Sequence, residues 1–357
     1  MSTGPGSTVG IVGLGYGRAH IPAFQAHGCR VVAVCQRDRA GAESIARRYG
    51  VPDVFTRWEE MLDVARPDVV VIATPPHLHH DIALRAFAGG AHVLCEKPLA
   101  MTAAEGRAMA EAARKAGRVA MTSFNWRFPP SMQELHARAG GVGRVFHLAG
   151  RWLGGRFADA AAPATWRRDR AQAGHGAMGD AGVHLIDMIR STFGEFQRVS
   201  AMAATAHPSA GAGRAAEAED YCLVLAELAG GIPLTLNVSR AAHAMTEHTL
   251  EVFGERGALL YRLDRGHPRW WQGELRASNG GAAFEAIAPR HAADLPAGES
   301  DASDIIGKVT IAPLVARLLE GIRTGVTPSP SFDDGVRAQA VLDAVGESAI
   351  RRAWVDV

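Results

Sequence analysis

The feature that most constrains this chain is an alternation confined to its first third. Nearly continuous apolar runs at 8–13, 30–35, 68–73, 91–95 and 118–122 are separated by helical patterns near 17–27, 39–49, 57–64, 79–89 and 102–117. A run such as VVVIAT (69–74) has no polar alternation. Both faces of such a strand are buried, as in a parallel sheet covered by helices. Thr102 reads as an N-cap, with Glu105 at the capping-box position and Gly117 as terminator. Repeated strand–helix–strand units predict an α/β doubly wound domain over 1–123.

After that the rhythm changes. Residues 144–152, 197–205, 219–229, 232–240, 247–253 and 257–263 read as strands with short connections, interrupted by one helix near 178–192. Consecutive strands of this kind predict a largely antiparallel sheet. The Ala/Gly/Pro/Ser-rich stretches 207–218 and 278–303 read as loops, and two helices near 304–324 and 333–350 close the chain. A second, α+β domain over 124–357 follows, since 357 residues are too many for one ordinary core.

Bulk composition narrows the function. The net charge is +1, which gives no case for nucleic acid or an anionic membrane. No apolar run reaches the ~18–20 residues of a spanning helix. MSTGPGST at the N-terminus lacks a basic region followed by an apolar stretch, so a cytoplasmic protein is expected. Cys29, Cys35, Cys95 and Cys222 show no Cys-x-x-Cys spacing and read as buried free thiols. Lysine is scarce: Lys97, Lys115 and Lys308 stand against 35 arginines, so a lysine within a motif draws notice.

The first strand runs into VGIVGLGYGRAH (9–20), with Gly13, Gly15 and Gly17 in the turn and Tyr16 between them. A strand, a tight glycine turn and a helix N-terminus make an anion site suited to a dinucleotide pyrophosphate. Arg18 stands where the usual G-x-G-x-x-G has its third glycine. Strand two ends VVAVCQRDR (31–39), placing Gln36 where an NAD-selective domain has an acidic ribose ligand, with Arg37 next. A neutral residue followed by arginine suits the 2′-phosphate of NADP; the competing reading is a solvated arginine and NAD.

Three further constellations carry chemistry. ATPPHLHHD (73–81) puts Thr74, Pro75 and His79 at a strand's carboxyl edge, where ligands bind in open α/β sheets; the histidines also read as plain helix-start residues. HVLCEKPLA (92–100) puts Glu96 and Lys97 at the next strand tip. A partly desolvated lysine there serves as acid, base or fixed charge, with Glu96 holding the ammonium; the alternative is a surface Lys–Glu pair of little worth. GHGAMGDAGVHLID (174–187) puts Asp180, His184 and Asp187 on one face of a helix otherwise rich in apolar residues. An Asp–His pair suits proton transfer, whereas the plain alternative is a satisfied core histidine. A metal reading is weaker: the i, i+4 spacing permits two ligands, but no third is obvious nearby.

Together these motifs resemble the glucose–fructose oxidoreductase / inositol dehydrogenase family, also called Gfo/Idh/MocA. The glycine turn, ATPPHLHHD, CEKPLA and GDAGVHLID occur in the family's order, and the resemblance extends to SFDDGVRAQAVLDAVGESA (331–349). It implies an N-terminal Rossmann domain and a C-terminal domain with a mostly antiparallel open sheet, whose exposed face forms the active site or an oligomer contact. It implies a cis Lys97–Pro98 bond and the catalytic residues Lys97, Asp180 and His184. Substrate contacts would be Asn125, Arg127, Trp166 and Arg167. The implied activity is NAD(P)-dependent hydride transfer interconverting a secondary alcohol and a ketone on a sugar or cyclitol, in a homodimer or homotetramer. Other chemistry on the same fold, with a dihydrodiol or bilin substrate, or a non-catalytic nucleotide sensor, are the rival classes. Arg18 and Gln36 depart from the family pattern and bear on cofactor choice. Gly174-His175-Gly176 replaces consecutive glycines and bears on the substrate pocket.

Overall fold

A computed structural model describes residues 6–163, 165–208, 217–295 and 298–357. The chain divides into two compact units, 1–128 with 295–339, and 129–294 with 340–357. The linear division at 123/124 lacks the return of 295–339 to the first unit. That return has a physical basis in polar contacts: Arg48 pairs with Asp301 at 2.9 Å and with Asp304 at 2.8 Å, and Arg18 Nε donates to Ser303 Oγ at 2.8 Å.

In the first unit six strands form one parallel sheet: β1 (Thr8–Val12), β2 (Arg30–Cys35), β3 (Asp53–Phe55), β4 (Val69–Ile72), β5 (His92–Cys95) and β6 (Ala120–Thr122). Their order is β3-β2-β1-β4-β5-β6, so the doubly wound reading holds. The three-residue β3 was missed because DVF is too short to show a period. The strand centres Val9, Ile11, Val69–Ile72 and Val93–Cys95 are fully or almost fully buried, as continuous apolar runs require. Thr102 Oγ1 accepts from Glu105 N at 3.2 Å at the start of the helix Ala103–Ala116, and Gly117 ends it at φ 61°. Glu105 reaches back to Met101 N at 3.0 Å, one residue earlier than a standard capping box.

The second unit is built on a nine-stranded sheet. It comprises β7 (Val145–Gly154), β8 (Phe196–Ala204), β9 (Tyr221–Leu228), β10 (Ile232–Ser239), β11 (Thr246–Gly254), β12 (Gly257–Asp264), β13 (Glu274–Asn279), β14 (Glu285–Ile287) and β15 (Val355–Asp356). The order is β14-β13-β12-β11-β7-β10-β9-β8-β15, antiparallel except for the parallel β7–β10 pair. β13 and β14 correct the reading of 278–303 as loop: the Gly280-Gly281 turn closes a hairpin that the small residues disguised. Residues 209–216 of the loop expected at 207–218 lie outside the described residues. β9 alternates exposed and buried along most of its length, so one face is covered and the other bare. The helix Val183–Phe193 packs on the covered face, with Leu185 and Ile189 near Gly150. All four cysteines are buried and free.

Candidate active site

In the first unit the carboxyl edge of the sheet is assembled by a backbone chain. Gly13 N donates to Cys35 O, Ala73 N to Val12 O, Glu96 N to Ile72 O and Ser123 N to Cys95 O, at 2.7–2.9 Å. The glycine turn, Thr74 and Glu96–Lys97 therefore stand side by side where the strand order reverses. Gly13 has φ +90°, and a Cβ there would meet Ala73 O at 2.4 Å, so only glycine fits. A Cβ on Gly15 would meet nothing within 4 Å, which leaves its backbone open to a phosphate. Thr74 Oγ1 and Asn125 Oδ1 are buried without a protein partner. Open glycine backbone and unspent polar atoms fit a dinucleotide at this edge.

Of the departures noted in the sequence, Arg18 has a local partner: it is turned to Ser303. Gln36 is half-buried and Arg37 exposed at the end of β2, while Arg39 pairs with Glu43 along its own helix. His79 is fully buried: Nε2 faces Thr74 O at 2.9 Å and Nδ1 faces Pro98 O at 3.1 Å. It ties two strand-tip loops together. Burial holds its pKa below the ordinary imidazole value, against the pull of those carbonyls.

Lys97 lies two residues beyond β5, half-buried, and its bond to Pro98 is cis. Glu96 does not simply serve the ammonium, as the sequence suggested. Its Oε1 faces His20 Nε2 at 2.8 Å and its Oε2 accepts from Lys97 N at 3.3 Å. Burial alone would raise the Glu96 carboxyl, but His20, then Lys97, hold it below its ordinary value. His20 was missed; its signal was a polar residue opening the otherwise apolar HIPAF that follows the glycine turn. Two residues expected at the substrate are engaged within this unit. Asn125 is fully buried and donates to Tyr16 OH at 3.2 Å and Thr310 Oγ1 at 2.7 Å. Arg127 donates to Ser329 Oγ at 2.8 Å and lies 3.6 Å from Asp334.

In the second unit Asp180 lies in a π-turn, Met178–Gly182, which opens the helix carrying buried His184 and Asp187. The uniform α-helical stripe expected over 178–192 is thus interrupted, since a π-turn holds more residues per turn and so narrows the angular step across Asp180; such turns recur at functional sites. The turn is held from outside. Glu219 accepts from Gly176 N at 2.8 Å and Met178 N at 3.1 Å. A Cβ on Gly176 would lie 1.9 Å from Glu219 O. His175, the departure between the glycines, is turned to Asp343 at 3.8 Å.

Asp180 faces two guanidiniums, Arg167 at 3.5 Å and Arg240 at 3.9 Å. Arg167 also covers the Trp166 ring at 4.3 Å, so both expected substrate contacts stand beside Asp180. Arg240, at the end of β10, is buried and donates to Arg167 O and Glu219 O. Sequence reasoning missed Arg240 and Glu219, because in an Arg-rich chain neither stands out before the fold brings them to Asp180. His184 is stacked on Trp152 at 5.5 Å.

The comparisons agree with this architecture. Residues 7–124 match the model of an oxidoreductase family with an NAD-binding Rossmann fold, and 132–260 match the GFO/IDH/MocA C-terminal domain. A levoglucosan dehydrogenase of Pseudarthrobacter phenanthrenivorans is 31% identical over 98% of this chain and 97% of its own. The chain belongs to the Gfo/Idh/MocA oxidoreductase family. An inositol 2-dehydrogenase of Acidothermus cellulolyticus is 30% identical over 77% of this chain and 79% of its own. A solved levoglucosan dehydrogenase in complex with NADH and levoglucosan superposes with a TM-score of 0.87, at 29% identity and 99% coverage of both chains. As a member this chain is an oxidoreductase with a nicotinamide-dinucleotide fold. Among the described residues no helix is long and apolar enough to cross a membrane.

Proposed function

We propose that this chain interconverts a secondary alcohol and a ketone on a sugar, sugar derivative or cyclitol, using NAD(P). The observation that carries the reading is buried His184 following a π-turn that bears Asp180, itself fixed by Arg167, Arg240 and a Glu219-capped backbone. A structural core histidine has no need of that apparatus. The end-to-end similarity to a levoglucosan dehydrogenase supports a carbohydrate substrate.

Gly13, Gly15, Tyr16, Gly17, Gln36, Arg37, Thr74 and Pro75 would hold the dinucleotide. Its nicotinamide ring, when bound, accepts or returns the hydride. In oxidation His184 takes the hydroxyl proton, and Asp180 favours the imidazolium that results. Lys97 supplies a fixed positive charge to the developing alkoxide, in the manner of an oxyanion-stabilising group. The C–H bond breaks with its electron pair, the carbonyl forms, and one proton remains on His184. Reduction reverses each step. Replacing His184 with Ala is expected to slow hydride transfer about 10²–10⁴-fold; an unslowed step would make Lys97 the proton carrier.

Exposed Arg37 beside neutral Gln36 supports NADP over NAD, although the similar dehydrogenase was solved with NADH. Fluorescence titration with NADPH and NADH tests this. Arg37→Ala is expected to weaken NADPH alone, by about ten- to a hundredfold for one charged hydrogen bond. Equal loss for both cofactors would assign Arg37 to bystander charge. A panel of keto-sugars with NADPH and polyols with NADP then tests the substrate class.

A further inference from the structure

The second unit contains a column of four rings, of which the proposed chemistry uses only His184. Trp152 on β7 is sandwiched between His184, at 5.5 Å with 23° between planes, and His248 on β11, at 4.1 Å and 15°. His248 in turn meets the Tyr261 hydroxyl of β12 at 3.1 Å. His184, His248 and Tyr261 are 3%, 2% and 1% exposed, so three of the four rings are sealed from water. The pairing register puts Trp152 directly opposite His248. Three strands thus align three aromatic side chains, Trp152, His248 and Tyr261, behind the imidazole proposed to carry a proton.

We infer that Trp152 is a positioning residue for His184, and that His248 and Tyr261 fix the indole for that task. The inference rests on His184 carrying the substrate proton. Two physical effects follow from the column. A stacked indole denies the imidazole its rotation, so the nitrogen facing substrate keeps its aim. Once His184 is protonated, a cation lies over an aromatic face within the ~6 Å at which the ring quadrupole attracts it. The indole therefore favours the protonated imidazole over the neutral one.

The far side of the column is suited to this. Burial, aided by Arg265, pushes the His248 imidazole down to about 3, so that ring stays neutral and puts no second positive charge under the indole. The other charged groups on these elements are Asp180 in the π-turn, Asp187 on the helix of His184, and Arg167 and Arg240 against Asp180. Arg151 and Glu247 flank the column on β7 and β11 and pair with each other at 2.9 Å. All of these are retained when only the indole is changed.

The test compares Trp152→Leu and Trp152→Phe with the parent protein, reading the single-turnover hydride-transfer rate and the His184 ring titration by NMR. Trp152→Leu is expected to slow hydride transfer about tenfold and to move the His184 midpoint to lower pH by about one unit, the size of a desolvated cation–π contact. Trp152→Phe keeps a smaller π-face and is expected to show part of both effects, with substrate KM changed less than twofold or so. If Trp152→Leu does not fold, the Phe variant carries the test through the direction of its midpoint. An unmoved midpoint and unchanged rate, in a protein where His184→Ala is slow, overturns this inference and leaves the proposed function standing. A His184→Ala protein of normal rate sinks the His184 role itself.

Discussion

Arg240 reaches two carboxylates at once: Nη1 lies 3.9 Å from Asp180 and Nη2 3.5 Å from Asp220. Asp220 is fully buried and is also met by Arg168 at 3.3 Å. Removing one arginine from this set leaves a buried carboxylate short of positive charge. Arg240→Met is expected to cost about 3 kcal/mol, the order found when one partner of a buried ion pair is deleted. Urea unfolding followed by far-UV circular dichroism measures it, with the midpoint lowered and the slope unchanged. A variant of parental stability would mean that Arg168 alone suffices for Asp220.

The buried Glu96 links the fold to pH. Its folded pKa lies below the ordinary 4.5, chiefly because His20 and Lys97 outweigh the penalty of burial. A carboxylate depressed on folding stabilises the native state above its unfolded pKa, and that stability is lost as pH falls through the folded value. The parent protein is therefore expected to weaken as pH drops from about 5 to about 3. Glu96→Gln, neutral throughout, is expected to be less stable at neutral pH and flatter across the acid range. If it weakens as steeply as the parent, other carboxylates govern the acid transition.

Much of this was legible in the sequence, for definable reasons. Apolar runs such as Val69–Ile72 disclose a doubly buried strand because burial on both faces leaves no polar position. CEKPLA and GDAGVHLID drew attention to Lys97, Asp180 and His184; the structure puts Lys97 just beyond a strand tip, Asp180 in the π-turn and His184 on the helix that follows, and their catalytic roles are the proposal made above. What the sequence hid were partners distant along the chain. His20 meets Glu96 from 76 residues away, and Glu219 meets Gly176 from 43. No local period encodes such pairs. The π-turn was hidden for another reason: Met178–Gly182 is as compatible with an α-turn until Glu219 and Arg240 hold it.

Gly176 measures how tightly the Asp180 turn is held. Its missing side chain lets the backbone touch that of Glu219, and any Cβ would overlap a carbonyl oxygen that cannot swing away. Gly176→Ala is expected to destabilise the protein by about 1–3 kcal/mol through overpacking. It should also displace the Glu219 carboxylate from the Gly176 and Met178 amides, so kcat falls while cofactor affinity holds. Thermal melts and cofactor titration separate the two effects. Loss of cofactor binding alone would show that the damage had spread to the first unit.

The bare face of the second sheet gives the last prediction. Met202, Tyr221, Leu223 and Leu225 are 74%, 40%, 48% and 54% exposed on neighbouring strands β8 and β9, with Met202 directly paired to Leu223. Scattered single apolar residues need no explanation, but a contiguous cluster marks a contact surface. We propose a second copy of the chain as the partner. Leu223→Lys combined with Leu225→Lys would bring two charges into such an interface without touching the buried side of β9, since side chains two apart share a face. The parent is expected to sediment as a dimer or tetramer and the double variant as a monomer of normal circular dichroism. A parent that sediments as a monomer across all accessible concentrations would leave this face to some other partner. A double variant that stays oligomeric would move the interface elsewhere on the second unit.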